Sequence, residues 1–327
     1  MWVLFALNYA NADYQPYYSN YNKVANGDFT SFESSEEGFV LLMYLFGRIL
    51  HLTYQQFLMA VSAVCVLVLG YCISKLTDYP NIALALFLIN PYWIMIVQVR
   101  FFLAFLVVLA GFTIMTVRDD TLGFCLFVLF VLASGFFHRA GFICIIFAFA
   151  RMKSLKRICG VSVLIGMGLL FFKSSFGQAL AKHFLSVKKV ATWLGASGSR
   201  SLTGVLSLIF VHAVILAVTI YLYRRIKDQN PKAEYLLKLS IICYSILPLE
   251  CFDKNYERFF RFALLMAFLM FAQYLASCQF QKWEMSLGTA AFLSSFVLYM
   301  AFFSISFGEY YSNSLIPILT KNLLFGR

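Results

Sequence analysis

The sequence predicts an all-α, polytopic membrane protein, and three observations carry that prediction. Of its 327 residues 61% are hydrophobic and only 13% are charged, with a mean hydropathy of +0.79. The apolar residues gather in repeated runs whose length is satisfied by lipid rather than by a soluble core. Those runs are continuous, whereas a membrane β-barrel alternates apolar and polar residues. Buried in lipid, the backbone must then pair its polar groups within helices.

The segments read, in order, at roughly 2–11, 54–74, 81–97, 99–117, 121–137, 140–150, 158–172, 203–223, 235–250, 262–280 and 286–306. The first, "MWVLFALNYA", is about half a span and has no basic leader, so it reads either as a short opening helix or as the end of one that starts upstream. The stretch 38–52, "GFVLLMYLFGRILHL", is apolar but short, carries Arg48 and His51, and is expected to lie in the interface or dip in part-way. Together these give an expectation of about 10–12 transmembrane helices. No repeat, low-complexity tract or soluble domain interrupts them, so residues 1–327 are expected to form one integral membrane domain. Its two longer outward loops are expected at 12–37 and 173–202.

Orientation follows from basic residues in short loops. Arg151, Lys153, Lys156 and Arg157 form one cluster; Arg224, Arg225, Lys227 and Lys232 form another. Placing both inside also places Lys75, Arg118 and Lys282 inside, and leaves the acidic segment 13–37 and the loop 173–202 outside. The net charge of +11 then reads as topology and contact with anionic lipid. A nucleic-acid partner would need a soluble basic domain, and none is present. The eight cysteines show no ligand or CxxC spacing and behave as small hydrophobes.

Polar interruptions in the apolar runs are the candidate functional residues. Arg100 is the only charged residue between Asn81 and Val117, with Gln98 just before it. It either snorkels to the head groups or faces a protein-lined cavity and binds an anion at a helix start. "FFHRAGF" (136–142) sets His138 and Arg139 in a tight turn. Water-facing polar residues of an interfacial turn explain it simply; alternatively His138, kept neutral beside arginine, is a general base. In "FDKNYERFFRFALL" (252–265) Glu257 and Arg261 are spaced for an intrahelical salt bridge, while Arg258 shares the face of Arg261.

The polar stretch 11–39 mixes Asp13, Asp28, Glu33, Glu36 and Glu37 with Tyr14, Tyr17, Tyr18 and Tyr21. It is either a solvated loop with interfacial tyrosines or a sugar-binding surface, on which rings stack and acids accept hydroxyl protons. The basic loop 173–202 (Lys173, Lys182, Lys188, Lys189, Arg200) meets either anionic lipid or an anionic lipid-linked ligand. No P-loop, GxSxG, HExxH or outward-facing DxD is present, and the only adjacent aspartates, Asp119 and Asp120, are on the inner side, so neither a metal nor another cofactor is expected and phosphate falls to arginine.

In this order, "ADYQPYY", "EEGFVLL", "LTYQQFL", "VRFFLAF", "FHRAGFI" and "NYERFFRFALL" resemble the EpsG/Wzy-type bacterial polysaccharide polymerases over most of the chain. Two departures are a first span shorter than the family's and Phe101 where the family commonly has Gln. The resemblance implies a GT-C-like membrane glycosyltransferase of the bacterial cytoplasmic membrane. It would join undecaprenyl-diphosphate-linked oligosaccharide repeat units into capsular polysaccharide, exopolysaccharide or O-antigen at the outer face, alongside flippase and chain-length-regulator partners. Within it His138, Asp13, Glu37 and Glu257 are the candidate catalytic residues. Arg100, Gln98, Arg139, Arg258, Arg261, Tyr14 and Tyr17 are the candidates for diphosphate and substrate binding. A flippase for the same lipid-linked sugar, or an O-antigen-ligase-like transferase, is the competing reading.

Overall fold

The structure, a computed structural model, describes residues 1–29, 36–173, 201–251, 254–277, 282–306 and 308–325. The basic loop expected at 173–202 therefore lies, from 174 to 200, outside the described residues, as does Glu33. The described chain is helical throughout and contains no strand beyond an isolated bridge between Asn8 and Asn322. The protein is an all-α polytopic membrane protein. Among the described residues five helices are long and apolar enough to cross a membrane: Tyr54–Leu76, Val99–Arg118, Leu202–Ile226, Glu257–Ala276 and Met285–Ser306. Pro80–Ile89 and Thr121–Phe137 are shorter apolar helices.

Among the described residues, several segments that read as single spans are broken, while Thr121–Phe137 and Leu155–Lys173 are continuous helices that fall outside the five. Residues 81–97 form α5 (Pro80–Ile89) and α6 (Tyr92–Val97), divided at Asn90–Pro91. Proline lacks the amide hydrogen a continuing helix needs, and it drives the residue before it out of helical geometry; Asn90 is extended, φ −162° and ψ 134°. Residues 140–150 wind as a 3-10 helix, Arg139–Arg151. Residues 235–250 give Ala233–Cys243, a 3-10 turn Tyr244–Ile246 and a last turn Leu247–Glu250 that contains Pro248. The opening segment is only α1, Trp2–Ala6.

The chain forms two compact units, Met1–Ala148 with Phe307–Arg327, and Phe149–Ser306. In the first, α2 (Tyr14–Ala25) and α3 (Glu37–Tyr44, ending in a π turn Leu45–Ile49) are short and lead into α4 (Tyr54–Leu76). The Thr53 hydroxyl and the Gln56 side chain close a reciprocal capping box that starts α4 sharply. Helices α7 (Val99–Arg118) and α8 (Thr121–Phe137) form a hairpin, turned at Asp119 (φ 44°) and capped by Asp120, which accepts from the Gly123 amide at 2.6 Å. Gly111 lets the two approach, since a Cβ there would stand 2.7 Å from the Phe130 Cβ. The chain end returns to its beginning: the Leu323 amide donates to the Leu7 carbonyl at 3.0 Å.

In the second unit, Glu257–Ala276 is the central helix, with every residue from Phe259 to Tyr274 buried. Leu202–Ile226, Ala233–Cys243 and Lys282–Ser306 pack around it.

Gly38 fixes α3 against the end of α8, because a Cβ there would lie 2.8 Å from the Phe136 Cβ and 2.9 Å from its carbonyl oxygen. Backbone cannot give way as a side chain can, so Gly38→Val is expected to cost about 1–3 kcal/mol. Thermal unfolding of purified protein in detergent checks this, and an unchanged midpoint would mean the contact is slack.

Candidate functional site

The site of the first unit begins at a break. Gln98 ends α6 and precedes α7 with φ −91° and ψ 58°, so Arg100 sits in the first turn of α7 rather than inside a long span. Two short helices bring partners to it. Glu36 is the residue from which α3 starts, in extended geometry, and its carboxylate Oε2 accepts from Arg100 Nη1 at 2.6 Å. Tyr17, on the inward face of α2, accepts from Arg100 Nε at 3.3 Å, and its ring centroid lies 5.6 Å from the guanidinium. Phe39 holds that ring edge-on at 5.6 Å. Burial pushes the Tyr17 hydroxyl above the ordinary tyrosine value, with the charge and hydrogen bond of Arg100 opposing the shift. The ion pair is asymmetric: the Arg100 side chain is 34% exposed and Glu36 only 9%.

The end of the α7–α8 hairpin completes this region. His138 closes α8, and its Nδ1 accepts from the Ala140 amide at 3.1 Å. Its ring meets Phe101, the neighbour of Arg100, edge-on at 5.6 Å. Phe101 thus links the arginine turn to the histidine turn. Gly141 allows the "HRAG" turn to fold back, since a Cβ there would run into Ser134. Arg139 is exposed. Tyr14 stacks on Tyr18 and donates to Gln55 Oε1 at 3.4 Å, while Asp13 precedes α2 and its charge adds to the upward shift of the Tyr17 hydroxyl.

The EpsG family model matches residues 1–319, essentially the whole chain. The chain belongs to the EpsG family. That family is tied to polysaccharide polymerisation, a glycosyltransferase-like activity, and membership brings a membrane protein acting on lipid-linked substrate. No curated protein and no solved structure matches the chain.

The remaining sequence candidates of this EpsG protein lie in its second unit. Arg261 donates to Glu257 Oε2 through Nε at 3.2 Å and Nη2 at 2.9 Å, and Tyr299 donates to Glu257 Oε1 at 3.0 Å. All three are buried, so the i,i+4 salt bridge forms in the core of the unit. Arg258 is half-buried and its Nε donates to the Asn255 carbonyl at 2.7 Å. Among the described residues no cluster of three His, Cys, Asp or Glu is arranged to hold a metal.

Two features escaped the sequence reading. Glu37 is exposed on α3, and the carboxylate that reaches Arg100 belongs to Glu36. The adjacent acids in "EEGF" differ only in which of them precedes the first helical turn, and the sequence leaves that start open by a residue. The other is a buried pair, His212 Nε2 to Glu250 Oε2 at 3.7 Å, with Phe260 and Tyr244 against the imidazole. The available signal was an ionisable residue in the middle of the run "IFVHAVIL".

Because Arg100 depends on Glu36, Glu36→Gln is expected to cut polymer yield severalfold, whereas Glu37→Gln leaves it near wild type. Equal yields from the two variants at equal membrane levels would remove the distinction. Arg261→Leu leaves a buried carboxylate uncompensated, and removal of one partner from such a pair costs about 3–5 kcal/mol. It should lower folded protein in the membrane in proportion to any loss of polymer.

Proposed function

We propose that this EpsG protein is a membrane polymerase that joins undecaprenyl-diphosphate-linked oligosaccharide repeat units into capsular or exopolysaccharide at the outer face of the bacterial cytoplasmic membrane. The observation that carries this reading is the half-open Arg100–Glu36 pair with Tyr17 beside it. In the reaction an acceptor hydroxyl attacks the anomeric carbon, the bond from that carbon to the carrier diphosphate breaks, and negative charge builds on the departing phosphate. A guanidinium meets such charge bidentately, and at the start of α7 the helix dipole adds to it.

Glu36 occupies the guanidinium until a diphosphate competes for it. The exchange replaces one anion by another, so Arg100 is never left as a lone buried cation. It also frees a carboxylate, and Glu36 then takes the proton of the attacking hydroxyl. His138, whose Nδ1 already accepts from the Ala140 amide, carries its own proton on Nε2 and is placed to donate there rather than to act as base. No step calls on a metal, and turnover is expected to survive chelation with EDTA.

One observation favours transport instead: the chain is broken twice before α7, at Asn90–Pro91 and Gln98, as in carriers that bind substrate on discontinuous helices. Deleting the gene separates the readings. A polymerase mutant leaves single repeat units on outward-facing lipid, and a flippase mutant leaves them facing the cytoplasm. In the polymerase case Arg100→Lys is expected to insert normally yet lose most polymer, because an ammonium lacks the planar fork. Full-length glycan from Arg100→Lys would reduce the residue to an interfacial anchor.

Orientation is checked separately in a background free of native cysteines. A cysteine at Ser197 should react with an impermeant thiol reagent in intact cells, and one at Gln229 should not. Labelling at Gln229 alone would move every candidate residue to the cytoplasm.

A further inference from the structure

Helix α2 has two faces with different chemistry. Tyr17, Tyr21 and Val24 turn inward and are buried. On the opposite side Gln15, Tyr18, Ser19, Asn22 and Asn26 recur at helical spacing and line an open hollow of about 500 Å³. The wall is closed by a fixed turn. Gly27 adopts φ +84°, its amide donates to the Val24 carbonyl at 3.0 Å, and the Asp28 amide reaches back to the Lys23 carbonyl at 2.9 Å. This double bond pattern ends the helix and requires the glycine; it also sets Asp28 beside Lys23 on the rim of the hollow.

Among the described residues those two are the only charges in the lining, and they are of opposite sign. A hollow with no net charge has no preference for diphosphate. What it offers is three side-chain amides, each both donor and acceptor, with two hydroxyls, the pattern that pairs with vicinal hydroxyl groups. Beside them stands an aromatic ring held in place. Tyr18 is 44% exposed, yet Tyr14 lies parallel to it (8°, 6.2 Å) and Tyr54 meets it edge-on at 5.8 Å. A braced ring presents its face to a ligand with little further loss of freedom, and the C–H face of a pyranose is its natural complement.

We propose that this face of α2 is a subsite for the neutral sugar of the lipid-linked repeat unit, with Tyr18 as stacking platform and Asn22, Asn26 and Gln15 as hydroxyl partners. The proposal rests on the polymerase reading for the identity of the sugar. It divides the substrate between consecutive residues: Tyr17 accompanies Arg100 at the diphosphate, and Tyr18, about 100° further round the helix, takes the sugar attached to it. It also moves the sugar contact from the inward tyrosines to the outward face.

The test uses full-length protein in detergent and two probes: inorganic diphosphate, and repeat-unit oligosaccharide released by mild acid from the host's lipid-linked pool. Saturation-transfer NMR and titration are expected to show oligosaccharide binding that Tyr18→Ala and Asn22→Ala each weaken at least tenfold and Tyr18→Trp retains. Diphosphate binding should be unchanged in those variants and lost in Arg100→Ala. Thermal midpoints establish that the variants are folded, and Asn22→Ala, a surface change, remains informative where Tyr18→Ala is not. No oligosaccharide binding to wild type, or equal binding to Asn22→Ala, overturns the subsite. The gene-deletion phenotype judges the polymerase reading independently, so either idea can fail alone.

Discussion

The first unit is organised around the placing of one guanidinium at the start of an apolar helix. An arginine at the centre of a membrane helix costs about 2.5–3.5 kcal/mol on insertion scales, and less near an end. Arg100 sits at an end because Gln98 breaks the helix there, and its remaining cost is offset by Glu36 and Tyr17. Glu36 can arrive only if α3 starts at that point, which in turn needs Gly38 to let α3 touch the end of α8. Tyr17 can arrive only if α2 lies inward-face down, packed through Phe39. The short helices between residues 14 and 44 are therefore the scaffold of one ion pair, and none of them is long enough to be a span.

A comparison within the chain shows what sets this pair apart. Glu257 and Arg261 lie one turn apart on a single helix, both nearly inaccessible, with Tyr299 satisfying the second carboxylate oxygen. That arrangement is closed, and opening it exposes charge to an apolar interior. The Arg100–Glu36 pair joins separate elements, and a third of the arginine surface stays open. The first suits an element that must hold its place. The second suits one that exchanges partners.

How much of this the sequence discloses depends on whether a feature needs a partner to define it. The apolar runs declare the helices because lipid imposes the same requirement on every residue of a span. Arg100 is legible for the same reason: it is the one violation in a long run. Breaks are partly legible, since Pro91 and Pro248 have local effects that predict them, yet an apolar segment of 17 residues outweighs one proline in a reading by length. The 81–97 segment shows that misreading. The candidate site is less legible because its chemistry lies in pairings between distant elements. Glu36 and Glu37 are indistinguishable until the first turn of α3 is fixed, and Tyr17 and Tyr18 divide their roles only once the inward face of α2 is known. His212 and Glu250 are separated by 38 residues and acquire meaning only when brought within 3.7 Å.

The residue types at the Arg100 turn follow from the exchange they would undergo. A carboxylate is a weaker guest for the guanidinium fork than a diphosphate, which brings more charge and more acceptor oxygens. It therefore keeps the cation compensated without blocking it. A lysine would hold Glu36 as a point charge but give up the planar geometry that makes two parallel hydrogen bonds to phosphate. A phenolic hydroxyl beside the pair adds a neutral partner, and burial holds Tyr17 in that neutral form, so it can turn its hydrogen to whichever anion is present. On the proposed exchange Arg100 and Tyr17 would hold an anion whether or not substrate is there, Glu36 at rest and diphosphate in turnover, and the hollow on the other face of α2 would add the selectivity that charge alone does not supply.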